Sequence, residues 1–338
     1  TPAFLNGDAD KAKFNRPYDV EVTAKGEVLV ADYYTHRIRK IAGGKVTTFA
    51  GTGNQGLKNG KAADAWFSHP AGLAIRKDGA VFIADRINHA IRLVSAQGDV
   101  TTVAGNGTGG YVNGKGGAAR LNQPIGIDVS GAGVLYVADY ANHRVRKIAA
   151  DGTVSLFAGS GAGYADGKGA AAKFNGPIDV AVDPSGHVYV SELGGHKIRK
   201  VAPDGTVTTF AGTGQAGLLN GDAKTARFYN PFGIALDTAG RLYVASYRYH
   251  RIRMIENNTV YTLTGSSAGY IDGPNGRFYH PVGMAVDPNG ALYLADWINN
   301  RVRKIVPTGA SCSIDNACWA NGVHNPTKAC QRCDSAKS

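Results

Sequence analysis

The stretch that decides the fold is LNQPIGIDVSGAGVLYVADYANHRVRKI, which runs from Leu121 to Ile148. It holds a proline, an apolar run, a glycine-containing turn, a second apolar run that ends in Ala-Asp, and a basic run. Five further stretches repeat this order of features, and they start at Phe14, Phe67, Phe174, Phe228 and Phe278. The starts lie 50 to 54 residues apart. Self-similarity at such a period indicates a repeat architecture.

Each copy predicts four short antiparallel strands. The apolar runs Val180–Val182 and Val188–Val190 are joined by a turn that contains Gly186, as in a hairpin. The basic run supplies a third strand, and a run such as Val207–Gly212 supplies a fourth. Four strands in each of six units predict an all-β protein, a six-bladed propeller with four-stranded blades around a central channel.

The two ends of the chain suggest how the ring is completed. We expect residues 1–309 to form the propeller and residues 310–338 to form a separate tail. Residues 4–13 match residues 218–227 of a linker, and both stretches contain Leu-Asn-Gly-Asp, so we expect residues 1–13 to complete the last blade. No copy of the fourth-strand run follows Ile305. The last blade therefore either lacks that strand or takes it from the tail.

The tail holds every cysteine of the chain: Cys312, Cys318, Cys330 and Cys333. Disulfides fit this spacing better than zinc, for which Cys-x-x-Cys supplies only half of a site, and four cysteines allow three pairings. A cysteine-dense tail favours an extracellular or cell-surface location. No uncharged apolar run approaches the roughly 18 residues of a membrane helix, so we expect no membrane segment.

The sequence of the repeat resembles that of the NHL family. The family signature Ala-Asp-x-x-Asn-His-Arg-Ile-Arg-Lys-Ile stands here as Ala138–Ile148 with Val145 in place of Ile, and the resemblance covers roughly residues 4–306. It implies a six-bladed propeller that serves as an interaction module, sometimes in extracellular receptors and sometimes on RNA. The tail is also similar to a Cys-rich extracellular module found after other domains of secreted bacterial proteins, here cut short.

One enzyme branch with this architecture, the peptidyl-hydroxyglycine amidating lyases, binds Zn²⁺ and a channel Ca²⁺. Its Pro-His-Asp pattern matches Pro17–Asp19 and Pro177–Asp179, where Tyr18 and Ile178 replace the zinc-binding His. The resemblance therefore keeps the calcium-like position and puts the zinc site in doubt.

Charged residues that recur in every blade predict architecture, because a catalytic residue is needed only once. An acid before the third strand and an arginine within it recur in five blades, and Ser246 replaces the acid in blade five. The net charge of +11 invites a nucleic-acid partner, yet 15 of the 37 basic residues belong to the repeated basic runs. Those runs are spread around the ring and not gathered on one face, which weakens the case for nucleic acid. A tail that implies export makes nucleic acid the least favoured partner.

Two carboxylates depart from the repeat. Asp19 and Asp179 stand two residues after the blade proline, where the other four blades have glycine. They lie on opposite blades of a six-fold ring, so both are expected to face the channel axis. They predict a channel cation, Ca²⁺ being the natural choice for acidic oxygens. The alternative is a pair of solvated carboxylates with water between them.

Loop positions that differ between blades predict a ligand site at one mouth of the channel. Aromatic and basic side chains at these positions are typical of recognition surfaces. The candidates are Arg16, Tyr33, His69, Arg86, Tyr140, Tyr247, Arg248, His280 and Trp297.

We expect a secreted, monomeric recognition or scaffold module that binds a protein, peptide or glycan at that mouth. The alternative is a metal-dependent lyase or hydrolase, related to the amidating lyases, that works near Asp19, His69 and His280. The sequence does not decide whether the protein is an enzyme, and a non-enzymatic role is favoured.

Overall fold

Six antiparallel sheets surround a central channel in a computed structural model that describes residues 3–273, 276–308 and 311–314, with side chains described up to residue 305. Within each sheet the strands follow one another outward from the channel. The all-β six-bladed propeller predicted from the repeat is confirmed.

The strands of each blade are named here by their order from the channel. The inner strands are Pro17–Val22, Pro70–Ile75, Pro124–Val129, Pro177–Val182, Pro231–Leu236 and Pro281–Val286. The second strands are Val28–Asp32, Val81–Asp85, Leu135–Asp139, Val188–Glu192, Leu242–Ser246 and Leu292–Asp296. The third strands are Arg37–Ala42, Ala90–Val94, Arg144–Ile148, Lys197–Val201, Arg251–Glu256 and Arg301–Thr308. The fourth strands are Lys45–Ala50, Asp99–Ala104, Thr153–Ala158, Thr206–Ala211, Thr259–Gly265 and Ser311–Ile314.

The expectation of four-stranded blades is corrected, because five of the sheets have a fifth strand of two residues at the outer edge. These strands are Gly7–Asp8, Gly60–Lys61, Gly114–Lys115, Gly167–Lys168 and Gly221–Asp222. Each pairs with the start of the fourth strand of its sheet, as Gly114 does with Val154. The linker between blades thus adds to the next blade, and a two-residue strand leaves no apolar pattern in the sequence.

The N-terminal end of the chain lies differently from the prediction. Gly7–Asp8 pairs with Lys45 and Val46 at the edge of blade one, whereas the sequence predicts that residues 1–13 complete the last blade. The last blade takes its fourth strand from the tail, where Ser311–Ile314 pairs with residues 305–308. The alternative that the sequence left open is thereby decided: the tail replaces the missing strand.

Short 3-10 helices occupy two kinds of turn. Among the described residues, four follow second strands and two follow fifth strands. They are Tyr33–Thr35, Arg86–Asn88, Tyr140–Asn142 and Tyr247–Tyr249 in the first group, and Gly116–Ala118 and Gly169–Ala171 in the second.

The repeated acid and arginine form a buried ion pair in five blades. The Asp139 carboxylate lies 3.0 Å from the Arg146 guanidinium, and neither side chain is exposed to solvent. Arg146 also donates to the main-chain oxygens of Arg120 and Val112, which ties the linker to the blade. The equivalent pairs are Asp32–Arg39, Asp85–Arg92, Glu192–Arg199 and Asp296–Arg303. The prediction of an architectural role is confirmed.

Candidate recognition surface at one mouth of the channel

One face of the ring collects all the loops that begin the inner and third strands. Because the strands alternate in direction, the ends of the second and fourth strands lie on this same face. We call it the mouth face. It comprises residues 3–4, 15–16, 33–37, 51–57, 68–69, 86–90, 105–111, 122–123, 140–144, 159–164, 175–176, 193–197, 212–218, 229–230, 247–251, 265–270, 279–280 and 297–301.

Repeated histidines join neighbouring blades on the mouth face. The His36 ring nitrogen Nδ1 accepts a hydrogen bond from the backbone N–H of His69 at 3.1 Å. His89, His143, His196 and His250 make the same contact with the next blade. Between the last blade and the first, Asn300 Oδ1 accepts from the N–H of Arg16 at 2.9 Å. These histidines are therefore neutral and protonated on Nε2, and burial lowers the pKa of His36 to about 4.

We call this hydrogen bond between neighbouring blades the joint. It positions Arg16, His69 and His280. Each precedes the blade proline and has a left-handed backbone, with φ of 59°, 55° and 54° respectively. In the joint, the backbone N–H of each of these residues donates to the His or Asn side chain of the preceding blade. Their side chains can then lie among the aromatic residues of the mouth.

One aromatic group centres on Tyr33. Its ring stacks on Tyr18 with centroids 4.9 Å apart and contacts His69 at 4.7 Å. Trp297 lies edge-on to both Tyr18 and Tyr33, at 5.0 and 5.4 Å. Tyr34, which is 49% exposed, covers the group from outside. These rings join blades six, one and two into a single apolar surface.

A second aromatic group centres on Tyr247. Its ring stacks on His280 with centroids 4.1 Å apart and on Phe232 at 5.4 Å. His280 in turn stacks on His250 at 4.9 Å. Burial, together with nearby His250, Arg248 and Arg16, lowers the pKa of His280 to about 4. This imidazole is therefore neutral near pH 7.

Arginines surround the two aromatic groups. Arg86 donates to the Tyr33 hydroxyl at 2.9 Å and lies 5.9 Å from the centroid of Tyr140. Arg16 lies 5.8 Å from the centroid of Trp297, and Arg248 lies at the same distance from that of Tyr247. All nine mouth residues selected from the sequence thus stand on one face. Whether they bind a ligand remains a prediction.

A layer of apolar side chains closes the channel below this surface. Each blade contributes the residue after its proline, and every one is buried: Tyr18, Ala71, Ile125, Ile178, Phe232 and Val282. We call these six the floor layer. Only about 10 Å³ remains between the floor layer and the level of Asp19 and Asp179. The mouth is therefore a shallow surface and not an entrance to the channel.

The carboxylates line the channel on the far side of the floor layer. A cavity of about 170 Å³ there is lined by Asp19 and Asp179, together with Glu21 and Asp128. Glu21 and Asp128 are not among the residues predicted from sequence, although a signal existed: both stand four residues after the blade proline, where the other blades have alanine. Alternate residues of a strand face the same side, so this position also faces the channel.

Burial raises the pKa of every one of these carboxyl groups. The pKa of Asp19 is raised first by burial and then by the charge of Asp179, and that of Asp179 rises to about 7. Asp19 Oδ2 accepts the N–H of Leu73 at 2.8 Å, and Asp179 Oδ2 accepts that of Ile234 at 2.9 Å. Each carboxylate therefore links its own blade to the next.

The glycines at the equivalent position are explained by crowding between inner strands. A Cβ on Gly283 would collide with the Asp19 carboxylate, and one on Gly126 would collide with that of Asp179. On Gly72 and Gly233 it would meet the main-chain oxygen of the next blade. An acidic residue is accommodated only because the preceding blade has glycine.

The three residues of the predicted enzyme site do not lie together. Asp19 lies below the floor layer, whereas His69 and His280 lie in the mouth above it. Within the described part of the chain, no group of three or more His, Cys, Asp or Glu side chains is arranged to hold a metal ion. The calcium ion between Asp19 and Asp179 stays a prediction.

With these features the chain falls in the class of six-bladed β-propellers. It contains NHL repeats: the model of this repeat matches residues 14–41, 121–148, 174–201 and 278–305. Among curated proteins, the chain is 31% identical over 276 residues to Protein SUPPRESSOR OF QUENCHING 1, chloroplastic, of Arabidopsis thaliana. The matched segment covers 75% of this chain and 26% of that protein. It is 29% identical over 340 residues to NHL repeat-containing protein 2 of Gallus gallus, covering 72% of this chain and 46% of that one. The chain thus spans less than half of either relative.

Solved structures share the fold. A Bacteroides thetaiotaomicron protein of unknown function has a TM-score of 0.71 at 19% identity, with 90% of this chain and 72% of that one covered. Virginiamycin B lyase from Staphylococcus aureus has a TM-score of 0.57 at 14% identity, with 96% and 90% covered. At such identities the likeness concerns the fold alone.

The described residues contain no helix that is long and apolar enough to cross a membrane. Of the four cysteines predicted to form disulfides, Cys318, Cys330 and Cys333 lie outside the described residues, and only the backbone of Cys312 is described.

Proposed function

We propose that the protein is a recognition module that binds a protein, peptide or glycan on the mouth face. The observation that carries this proposal is the continuous surface of aromatic rings and arginines above a closed floor layer. Tyr, Trp and Arg are the residue types that dominate binding energy in interfaces, because they combine a large apolar area with polar groups. Tyr34, Tyr229 and Tyr279 are 37–49% exposed, so much of this apolar area faces solvent.

The closed floor layer favours binding over catalysis at this mouth. A substrate on the mouth face has no open route to the carboxylates of the channel. The histidines that it can reach are neutral and packed against other rings. The metal-dependent lyase or hydrolase stays an alternative. It requires turnover that a chelator abolishes and that Asp19→Asn impairs.

The proposal is tested on peptide and glycan microarrays. Tyr247→Ala removes the ring on which His280 and Phe232 stack, so it is expected to abolish the wild-type signals. Tyr293→Ala is the matched control, because Tyr293 lies in a second strand away from the mouth. Signals that survive Tyr247→Ala and disappear in Tyr293→Ala would contradict the proposal.

We further propose that the protein acts outside the cell with disulfides in its tail. The support is the confinement of all four cysteines to residues 312–333. Free-thiol titration under denaturing conditions tests this: the proposal predicts no free thiols in the exported protein, and four free thiols would contradict it.

A further inference from the structure

The mouth face contains no aspartate or glutamate. Its loops, as defined above, include eight basic residues, all but one of them arginines. The acids at the ends of the second strands, such as Asp139, are fully buried and paired with arginine. Asp166 and Asp272, two residues beyond mouth loops, are 46% and 44% exposed, and each pairs with an arginine. The accessible charge of this face is therefore positive.

The exposed acids lie on the opposite face and the outer edge. Asp78, Asp151 and Asp204 occupy turns of the opposite face, and Asp151 and Asp204 pair there with lysines of the fifth strands. The acids of the channel also lie below the floor layer. The basic residues are not gathered on the mouth face, which holds eight of the 37. The two faces differ in their acids, because the strand directions place the turns that carry exposed acids on the opposite face.

None of the seven mouth arginines forms an ion pair with a carboxylate of the described residues, and three of the seven lie beside the aromatic groups. Arg16, Arg86 and Arg248 form no ion pair there, and Arg16 Nη1 is buried without a hydrogen-bond partner. Arg86 donates to the Tyr33 hydroxyl and to Gln123 Oε1, both neutral groups, each at 2.9 Å. The positive charge of these three inner arginines is thus not neutralised by a carboxylate of the described residues.

We propose that the mouth face docks an acidic polypeptide segment, whose carboxylates pair with Arg16, Arg86 and Arg248 while its side chains pack on the aromatic groups. This inference rests on the proposed function and names the class of its ligand. A polypeptide partner is favoured over RNA or a sulfated glycan by the composition of the face. Arginine and tyrosine are abundant, and its only lysine, Lys197, is buried against Tyr164. Protein interfaces show this enrichment of Arg and Tyr with depletion of Lys, Asp and Glu.

The test selects a phage-displayed library of random 12-residue peptides on the folded protein. The proposal predicts that the selected peptides are enriched in Asp and Glu over the input library. Their affinity is expected to fall at least about tenfold in Arg16→Gln/Arg248→Gln, because charge-assisted hydrogen bonds to carboxylates are lost. The matched control is Lys25→Gln/Lys77→Gln, which removes the same charge from the opposite face and is expected to leave the affinity unchanged.

Neutral or basic selected peptides would overturn the inference. If such peptides still lose affinity in Trp297→Ala, the proposed function stands and only the acidic ligand class fails. If no peptide depends on Trp297 or on the arginines, both proposals fail. Two other probes are run in parallel, a 15-nucleotide oligouridine and heparin. Binding of either with a steep salt dependence, and without acidic peptides in the selection, would also overturn the inference.

Discussion

The carboxylate of Asp179 accepts hydrogen bonds from two blades, from the N–H of Val180 at 2.9 Å and from that of Ile234 at 2.9 Å. These bonds lower its pKa, yet burial outweighs them and raises the pKa to about 7. The folded protein therefore holds a proton on this group at a pH where the unfolded chain has lost it. Between about pH 7 and pH 4, this group makes the free energy of unfolding rise as the pH falls.

Asp179→Asn is expected to remove that contribution. Wild type is predicted to gain stability relative to the variant when the pH falls from 8 to 5. Urea unfolding at the two pH values measures the difference. Asp151→Asn is the control. The pKa of the exposed Asp151 is lowered to about 2, so this carboxylate does not change its charge between pH 8 and pH 5. An identical change in wild type and Asp179→Asn would contradict the assignment.

The calcium prediction is tested at the same residue. If Ca²⁺ binds between Asp19 and Asp179, added calcium raises the Tm of wild type and leaves that of Asp179→Asn unchanged. Equal Tm values for wild type with calcium and with a chelator would contradict the prediction of a calcium ion between Asp19 and Asp179.

The histidine joints have the opposite pH dependence. The pKa of His36 is lowered to about 4 by burial, by His69 and by Arg37, so the unfolded chain binds a proton before the folded protein does. This contribution to stability is present at neutral pH and is lost as the pH falls from about 6.5 to about 4. His36→Asn keeps an acceptor, as Asn300 does at the last joint, and removes the titration. Unfolding curves are therefore expected to show a smaller acid-induced loss in His36→Asn than in wild type, and an equal loss would contradict the joint.

At the scale of the blade, the buried ion pair is the interaction that repeats. Blade five keeps the arginine of this pair and lacks the acid. Arg253 is fully buried like its counterparts, but Ser246 stands where they have an acid. Burial lowers the pKa of Arg253 to about 10. Within the described residues the Ser246 hydroxyl has no hydrogen-bond partner, and the Arg253 guanidinium donates only to the main-chain oxygens of Arg227 and Leu219.

Ser246→Asp is expected to stabilise the protein by about 1.5–3 kcal/mol, the usual value of a hydrogen bond to a charged group. The converse change, Asp139→Asn, leaves Arg146 buried without its charge partner and is expected to cost about 3–5 kcal/mol. Urea unfolding at pH 7 measures both. Destabilisation by Ser246→Asp would show that blade five has adapted to the missing acid.

The blades could be predicted from sequence because each strand carries an apolar run bounded by turn residues, and six copies reinforce one another. The fifth strands could not, since Gly114–Lys115 pairs through the backbone alone. In the site, the loop positions of Tyr247 and Trp297 follow from the repeat. The floor layer does not, because Tyr18 and Ile178 look like ordinary strand residues until the ring is closed.

At the scale of the whole molecule, the floor layer separates two chemically different regions. The mouth face has aromatic rings and arginines, and the channel below it has four carboxylates with raised pKa values. Because the proposed ligand contacts only the first region, changes in the second are expected to affect stability and not binding.

Isothermal titration calorimetry of the strongest array ligand tests this account most directly. With Trp297→Ala we predict an affinity at least about tenfold lower than that of wild type, since a central aromatic contact of the interface is lost. With Asp19→Asn we predict wild-type affinity. Wild-type affinity in Trp297→Ala, together with loss of binding in Asp19→Asn, would contradict the account and would place the function in the channel.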